Sequence, residues 1–266
     1  MHAYRQHVES AVRALLRPDA LDHEAVHETR KNLKRARAAL GLLRTGLPTA
    51  NYKSQKHGIR KLASSLAKAR DAKVVSDTLE HLLREQHVHV NAGVRGLRQA
   101  LLNERDRVPD GLSRDLVSLG RDLMRAADGI ARSDTNLRPR DLLRGMRRTC
   151  RRTGRDMKLA SRKRTAATLH RWRRRVQCLK YQLDVLPAGS RLQRRVHRIS
   201  ELLGVDHDLW MLRQAIRKFR RGYPEDSLAG DLDPLARSIR RRRRRLQARA
   251  FEIGKDTFGR RARPQP

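Results

Sequence analysis

Apolar residues recur three and four positions apart along nearly the whole chain. Strict alternation never persists, and clusters of β-branched residues are missing. This pattern predicts helices and no strands, an all-α protein. Proline and glycine punctuate it at Pro18-Asp19, Gly46-Leu47-Pro48, Val108-Pro109-Asp110-Gly111, Ser133 to Pro139, Pro187-Ala188-Gly189, Gly204 to Asp208, Gly222-Tyr223-Pro224 and Gly230 to Pro234, and a further break is read at Arg70-Asp71. The expected helices cover 2–17, 22–45, 52–69, 71–103 and 112–131, then 139–158, 163–186, 190–204, 206–221 and 232–253. Two matching halves result, 1–133 and 134–266, and the tail after Gly254 is expected to fray.

The halves share more than rhythm. Stepping about 100° per residue along "VHETRKNLKRARAALGLL" puts Val26, Thr29, Leu33, Ala36, Leu40 and Leu43 on one side of a helix. His27, Arg30, Lys31, Lys34, Arg35 and Arg37 occupy the other. In "LHRWRRRVQCLKYQLDVL" the apolar side is Leu169, Trp172, Val176, Leu179, Leu183 and Leu186 at the same offsets. His170, Arg173, Arg174 and Lys180 stand where His27, Arg30, Lys31 and Arg37 stood, with Gln177 and Cys178 in place of Lys34 and Arg35. The following helices match as well. Lys53, His57, Arg60, Lys61 and Lys68 share a face in the first copy, and Arg191, Arg194, His197 and Arg198 share one in the second.

Charge sharpens the meaning of those faces. The chain has 266 residues, 63 of them Lys or Arg against 28 Asp or Glu, a formal charge of +35. The first half carries 25 basic and 15 acidic residues, and the second 38 and 13. A solvated helix face usually mixes signs in i,i+4 pairs, whereas these faces carry little acid beyond Glu28, with Asp184 a turn past the second stripe. Self-repulsion on this scale calls for a polyanionic partner, and four such faces in two matched pairs point to a groove that holds negative charge. Asp71 and Asp208, at matching positions, are expected to cap the next helix or to pin a nearby arginine.

These residues resemble the CHAD domain, the conserved-histidine α-helical domain. "VHETRKNLKRARAAL" with "LAKARDAKVV" is similar to its first half, and "LHRWRRRVQCLKYQL" with "ISELLGVDHDLWML" to its second. The resemblance implies two helical bundles related by a pseudo-two-fold axis around a basic pore or groove. It implies non-catalytic binding of inorganic polyphosphate and, in some bacteria, association with polyphosphate granules. Carried over residue by residue, the binding face comprises His27, Arg30, Lys31, Lys34, Arg35, Arg37, His170, Arg173, Arg174 and Lys180, supported by Lys53, Arg60, Lys61, Arg191, Arg194 and Arg198. No ExExK strand of the triphosphatase sometimes fused to such domains is present.

Other signals change this picture little. Cys150 and Cys178 are expected to be reduced, partly buried thiols. No apolar run approaches a membrane span or a secretory leader, so the expected compartment is the cytoplasm, with no membrane partner. His81, His87 and His89 lack the carboxylates or thiols of a metal site, and no cofactor is expected. "RRRRRR", Arg240 to Arg245, surrounds its helix axis and is read as solvated or as a secondary anion patch. The alternative ligand is nucleic acid, disfavoured because aromatics are only 3% and stacking surfaces are therefore few. A phosphoryl-transfer enzyme using His27 needs a carboxylate set for metal beside the basic face, and the acids are scattered.

Overall fold

A computed structural model describes residues 2–16, 23–86, 89–106, 112–132, 138–185, 189–222 and 230–259. Among these residues it is all-helical, with ten helices: α1 His2–Leu15, α2 His23–Leu43, α3 Thr49–Ser65, α4 Ala67–Gln86, α5 Ala92–Asp106, α6 Leu112–Arg132, α7 Pro139–Lys163, α8 Ala166–Leu183, α9 Arg191–Gly222 and α10 Asp233–Phe258. The expected turns at Pro18-Asp19, Val108 to Gly111, Ser133 to Leu137, Pro187-Ala188 and Tyr223-Pro224 lie outside the described residues, as do His87, Leu186 and the tail beyond Gly259.

The number of helices matches the periodicity, but three boundaries differ from it. The stretch expected as one helix over 71–103 is two. Asn91 ends the connection by capping α5, its Oδ1 accepting from the Val94 amide at 3.0 Å while its Nδ2 donates to the Asp231 carbonyl at 2.8 Å. The break expected at Arg70-Asp71 falls at the buried Leu66 instead, and α4 runs through both positions. Conversely, Gly204 does not break the chain, and α9 continues across it. A glycine inside a helix costs about 1 kcal/mol relative to alanine, which burial of Leu202, Leu203, Leu209 and Leu212 on the same helix more than offsets. Asp71 and Asp208 therefore lie within α4 and α9 rather than at their caps.

The chain forms two compact units. Unit 1 comprises residues 1–67, 109–200 and 253–266. Its core joins Tyr4, Val8, Leu15, Leu33, Leu40, Ile59, Leu62 and Leu123 from α1, α2, α3 and α6, with Leu66 just past the end of α3. The apolar face of α8 is buried as its period predicts, with Trp172 wholly enclosed. Gly254 of α10 leaves room for that packing: a Cβ there would stand 2.6 Å from Met157 Sδ and 3.3 Å from the Trp172 ring. Unit 2 comprises residues 68–108 and 201–252, with a core of Leu79, Leu82, Leu97, Leu212, Ile216, Leu235 and Ile239. Each unit thus draws helices from both halves of the sequence.

The α7–α8 connection is short. Arg164 closes α7 in the left-handed region, at φ 45°, ψ 27°, and the Thr165 hydroxyl caps α8 by accepting from the Thr168 amide at 3.3 Å. A side chain in that region costs about 1 kcal/mol that glycine avoids. Arg164→Gly is therefore expected to raise the melting temperature by about 2–4 °C, as read by calorimetry.

Candidate functional site

The two histidine helices meet inside unit 1. α2 packs against α8, and a buried hydrogen bond from Gln182 Nε2 to the Ala38 carbonyl, 3.0 Å, ties them together. Both apolar faces are buried: Val26, Thr29, Leu33, Ala36, Leu40 and Leu43 on α2, and Leu169, Trp172, Val176, Leu179 and Leu183 on α8. Packing these faces inward leaves the cationic positions of the two helices along their seam.

Six of the candidate cations gather there: Arg35, Arg37, His170, Arg173, Arg174 and Lys180. Arg37 is half-buried. Burial pulls its guanidinium down from the ordinary arginine range, the neighbouring Arg174 and Arg175 push the same way, and Cys178 and Tyr181 oppose them. An arginine stays charged regardless, so the shift measures how poorly this charge is solvated. His170 is half-buried too, and burial, followed by Arg174, Arg173 and Arg37, lowers its pKa. The imidazole is therefore neutral at pH 7 in the free protein. Two of these cations stand over the Tyr181 ring: the Arg35 guanidinium carbon lies 5.9 Å and Lys180 Nζ 5.6 Å from its centre. Burial raises the Tyr181 phenol, although Arg35, Arg173 and Arg37 pull against it.

The remaining candidates are placed differently. His27 is exposed and Lys34 half-buried on α2. Arg30 turns towards α3, donating from Nη1 to the Ala63 carbonyl at 3.1 Å. Lys31 Nζ pairs with Glu28 Oε1 at 2.8 Å, and that bond, despite partial burial, holds the Glu28 carboxyl below its usual range. Lys53, Arg60 and Lys61 are exposed on α3, and Arg191, Arg194 and Arg198 on the first turns of α9. Arg194 Nη1 donates to the Gly189 carbonyl at 2.6 Å, while His197 Nε2 stands 2.6 Å from Asp184 Oδ1.

Periodicity around the histidines passed over a second group of arginines. Arg152 of α7 is lowered by burial first and then by Arg175, Arg148, Arg44 and Arg155. Arg175 neighbours Arg37 as well, so the seam continues through it onto α7. One acid moderates this region. Asp156 Oδ1 is 3.1 Å from Arg171 Nε and its Oδ2 is 3.3 Å from Arg175 Nε. Arg148, Arg152 and Arg155 recur at i, i+4 and i+7, a stripe readable in the sequence had α7 been stepped like its neighbours. His7 of α1 also faces Arg35, and burial followed by that arginine lowers its pKa.

Cys150 and Cys178 are free thiols, and burial raises both above the ordinary thiol range. Among the described residues, no group of three or more His, Cys, Asp or Glu could hold a metal ion, and no helix is long and apolar enough to cross a membrane.

The family model of the CHAD domain matches residues 1–217. Among solved structures, the crystal structure of the CHAD domain from the plant Ricinus communis superposes with a TM-score of 0.52 at 20% identity, covering 98% of this chain and 90% of that one. At that identity the likeness concerns the fold alone. No curated protein matches the chain.

Proposed function

The chain belongs to the CHAD domain family, and from that premise we propose that it binds inorganic polyphosphate, without catalysis, along the seam of α2 and α8. One observation carries the reading: cations that repel one another are held partly out of water, with few acids to neutralise them. A flexible phosphate chain presents charge and shape and nothing else. Arginine offers bidentate contacts to phosphate oxygens and lysine a mobile point charge, and helical spacing of about 5–6 Å sets them at intervals a linear polyanion can follow. The halves 1–133 and 134–266 are read as two copies of one binding unit. Association with polyphosphate granules is the cellular expectation that goes with this reading.

The test is thermal unfolding near physiological salt with long-chain polyphosphate, with duplex DNA at equal charge, and with neither. A ligand that binds only the folded state raises its stability by mass action, so a large shift with polyphosphate and a small one with DNA is expected. Equal shifts would favour the nucleic-acid reading. The aromatic rings beside these arginines argue against base stacking, since Tyr181 and Tyr52 are already covered by Arg35, Lys180 and Arg44.

His170 supplies a pH signature. Its free-state pKa lies below the ordinary 6.5, and a bound anion favours the imidazolium and raises it. Binding therefore takes up a proton at pH values between the free and the bound pKa. Affinity is expected to tighten as pH falls through that window, and His170→Gln to flatten the dependence while leaving binding at pH 8 nearly unchanged. Calorimetric titration in buffers of different ionisation enthalpy reads the proton directly. For stability without ligand the sign is opposite. The unfolded chain protonates first, so the His170 contribution is intact above 6.5 and is lost as pH falls towards the folded-state value.

A further inference from the structure

We infer that unit 2 carries an anion site of its own, on facing stripes of α9 and α10, which takes a compact, multiply charged phosphate such as inorganic diphosphate. Its ligands are Arg213, Arg217, Arg240 and Arg243. The inference rests on unit 2 alone and stands whether or not the α2–α8 seam takes polyphosphate.

Two acid–arginine latches set the register of these helices. Asp206 of α9 meets α10 through Arg243, with Nε to Oδ1 at 2.9 Å and Nη2 to Oδ2 at 3.4 Å, and through Gln247 Nε2 at 2.9 Å. Further along α9, Arg220 Nη2 meets Asp233 Oδ1 at 2.6 Å. Moving up α9 therefore means moving down α10, so the two run antiparallel, and the stretch between the latches sets Arg213 and Arg217 towards Arg240. Opposite charges would support such a pair of helices, and like charges weaken it. The chain puts arginine on both sides. Among the described residues none of Arg213, Arg217 and Arg240 forms an ion pair. Asp233, the acid that Arg240 senses, is engaged with Arg220.

Arg213 shows what this arrangement costs. It is half-buried, and burial followed by Arg217, Arg243 and Arg240 lowers its pKa. Arg217 and Arg240 are exposed, so solvent and a solute can enter. The latch occupies only Nε and Nη2 of Arg243, and with Gln247 it holds that guanidinium in a fixed attitude. One turn of helix, about 5 Å, separates the members of each arginine pair. Two such pairs offer more donor forks than one tetrahedral oxyanion can engage, and a phosphoanhydride presents enough oxygens to meet them.

The test is calorimetric titration of the full chain with inorganic diphosphate, in wild type, in Arg213→Gln/Arg240→Gln, and in a seam variant, Arg37→Gln/Arg174→Gln. The seam variant is expected to keep a diphosphate site and the unit 2 variant to lose it, with affinity at that site falling at least tenfold. A second readout is independent of titration. In phosphate-free buffer the unit 2 variant should melt at or above the wild-type temperature, because like-charge repulsion has been removed, and it should gain less from added diphosphate. Unchanged stoichiometry and affinity in Arg213→Gln/Arg240→Gln would overturn the site, and so would a lower melting temperature with an undiminished diphosphate shift. Loss of diphosphate binding in the seam variant alone would put the ligand on unit 1 and overturn it too. Should the double variant not fold, Arg213→Lys keeps the charge but loses the fork, and a several-fold weakening is expected from it.

Discussion

Replacing Arg37 and Arg174 with glutamine is expected to weaken binding of long-chain polyphosphate by about a hundredfold or more. Each guanidinium can make charge-assisted contacts worth about 1.5–3 kcal/mol. Two lost together amount to about 3–6 kcal/mol, and every 1.4 kcal/mol is tenfold in affinity. The salt dependence should change with it. For a single-stranded polyanion the slope of log affinity against log salt is about 0.7 per neutralised phosphate, so two lost contacts flatten it by about 1.4. A titration series across salt concentration reads both quantities. The fold provides an internal control, because Arg37 is held partly out of water among other cations. Its neutralisation should leave ligand-free stability unchanged or raised. A variant that is equally stable and binds with the same affinity and slope would move polyphosphate off the seam. The same pair of changes made at Lys31 and Arg194 should matter less, since these are committed to Glu28 and to the Gly189 carbonyl.

The contrast between those pairs shows what the sequence could disclose. The apolar faces of α2 and α8 were legible position by position, because burial of a helix face repeats with the helix period and leucine marks it. Which members of the opposite face cluster was not legible, because that depends on the neighbouring helix. Arg30 belongs to the same stripe as Arg37 but reaches α3. Cys178 occupies the offset at which the first copy has Arg35, and the structure sets Arg37 of the partner helix beside it. An arginine at 178 would crowd a second poorly solvated charge into that place, so the second copy's departure from the basic pattern fits the packing. The α7 stripe was readable but carries no histidine to draw notice. Boundaries were harder: Gly204 has the composition of a break, yet the leucines around it sit in buried positions that an uninterrupted helix satisfies. The Arg240–Arg245 run divides in the same way. Steps of about 100° send consecutive residues to different sides, so Arg242 meets Glu85, Arg243 meets Asp206 and Arg240 faces α9.

The Asp206 latch leads to the largest expected effect on stability. Asp206 and Arg243 side chains are only 5% and 12% exposed, and Gln247 bonds the same carboxylate. Removing one partner of a buried pair leaves the other charge without compensation, at a cost of about 3–5 kcal/mol. Asp206→Ala is therefore expected to destabilise unit 2 by that amount. Arg243 lies next to other arginines, so the unpaired guanidinium has only like charges to turn to. Denaturant unfolding with hydrogen exchange as the local probe distinguishes the units: amides of α4, α5 and the 201–222 part of α9 should lose protection, while those of α2 and α8 keep theirs. The double variant Asp206→Ala/Arg243→Met should recover most of the loss, because a well-packed apolar side chain replaces the stranded charge. Diphosphate separates structure from site. Added at saturation it should restore part of the stability of Asp206→Ala, where an anion can stand in for the missing carboxylate, and nothing to the double variant beyond what it gives Arg213→Gln/Arg240→Gln. If Asp206→Ala costs less than about 1 kcal/mol, the range of an exposed pair, the latch is no more than a surface contact, and the register that sets Arg213 against Arg240 must come from the leucine core alone.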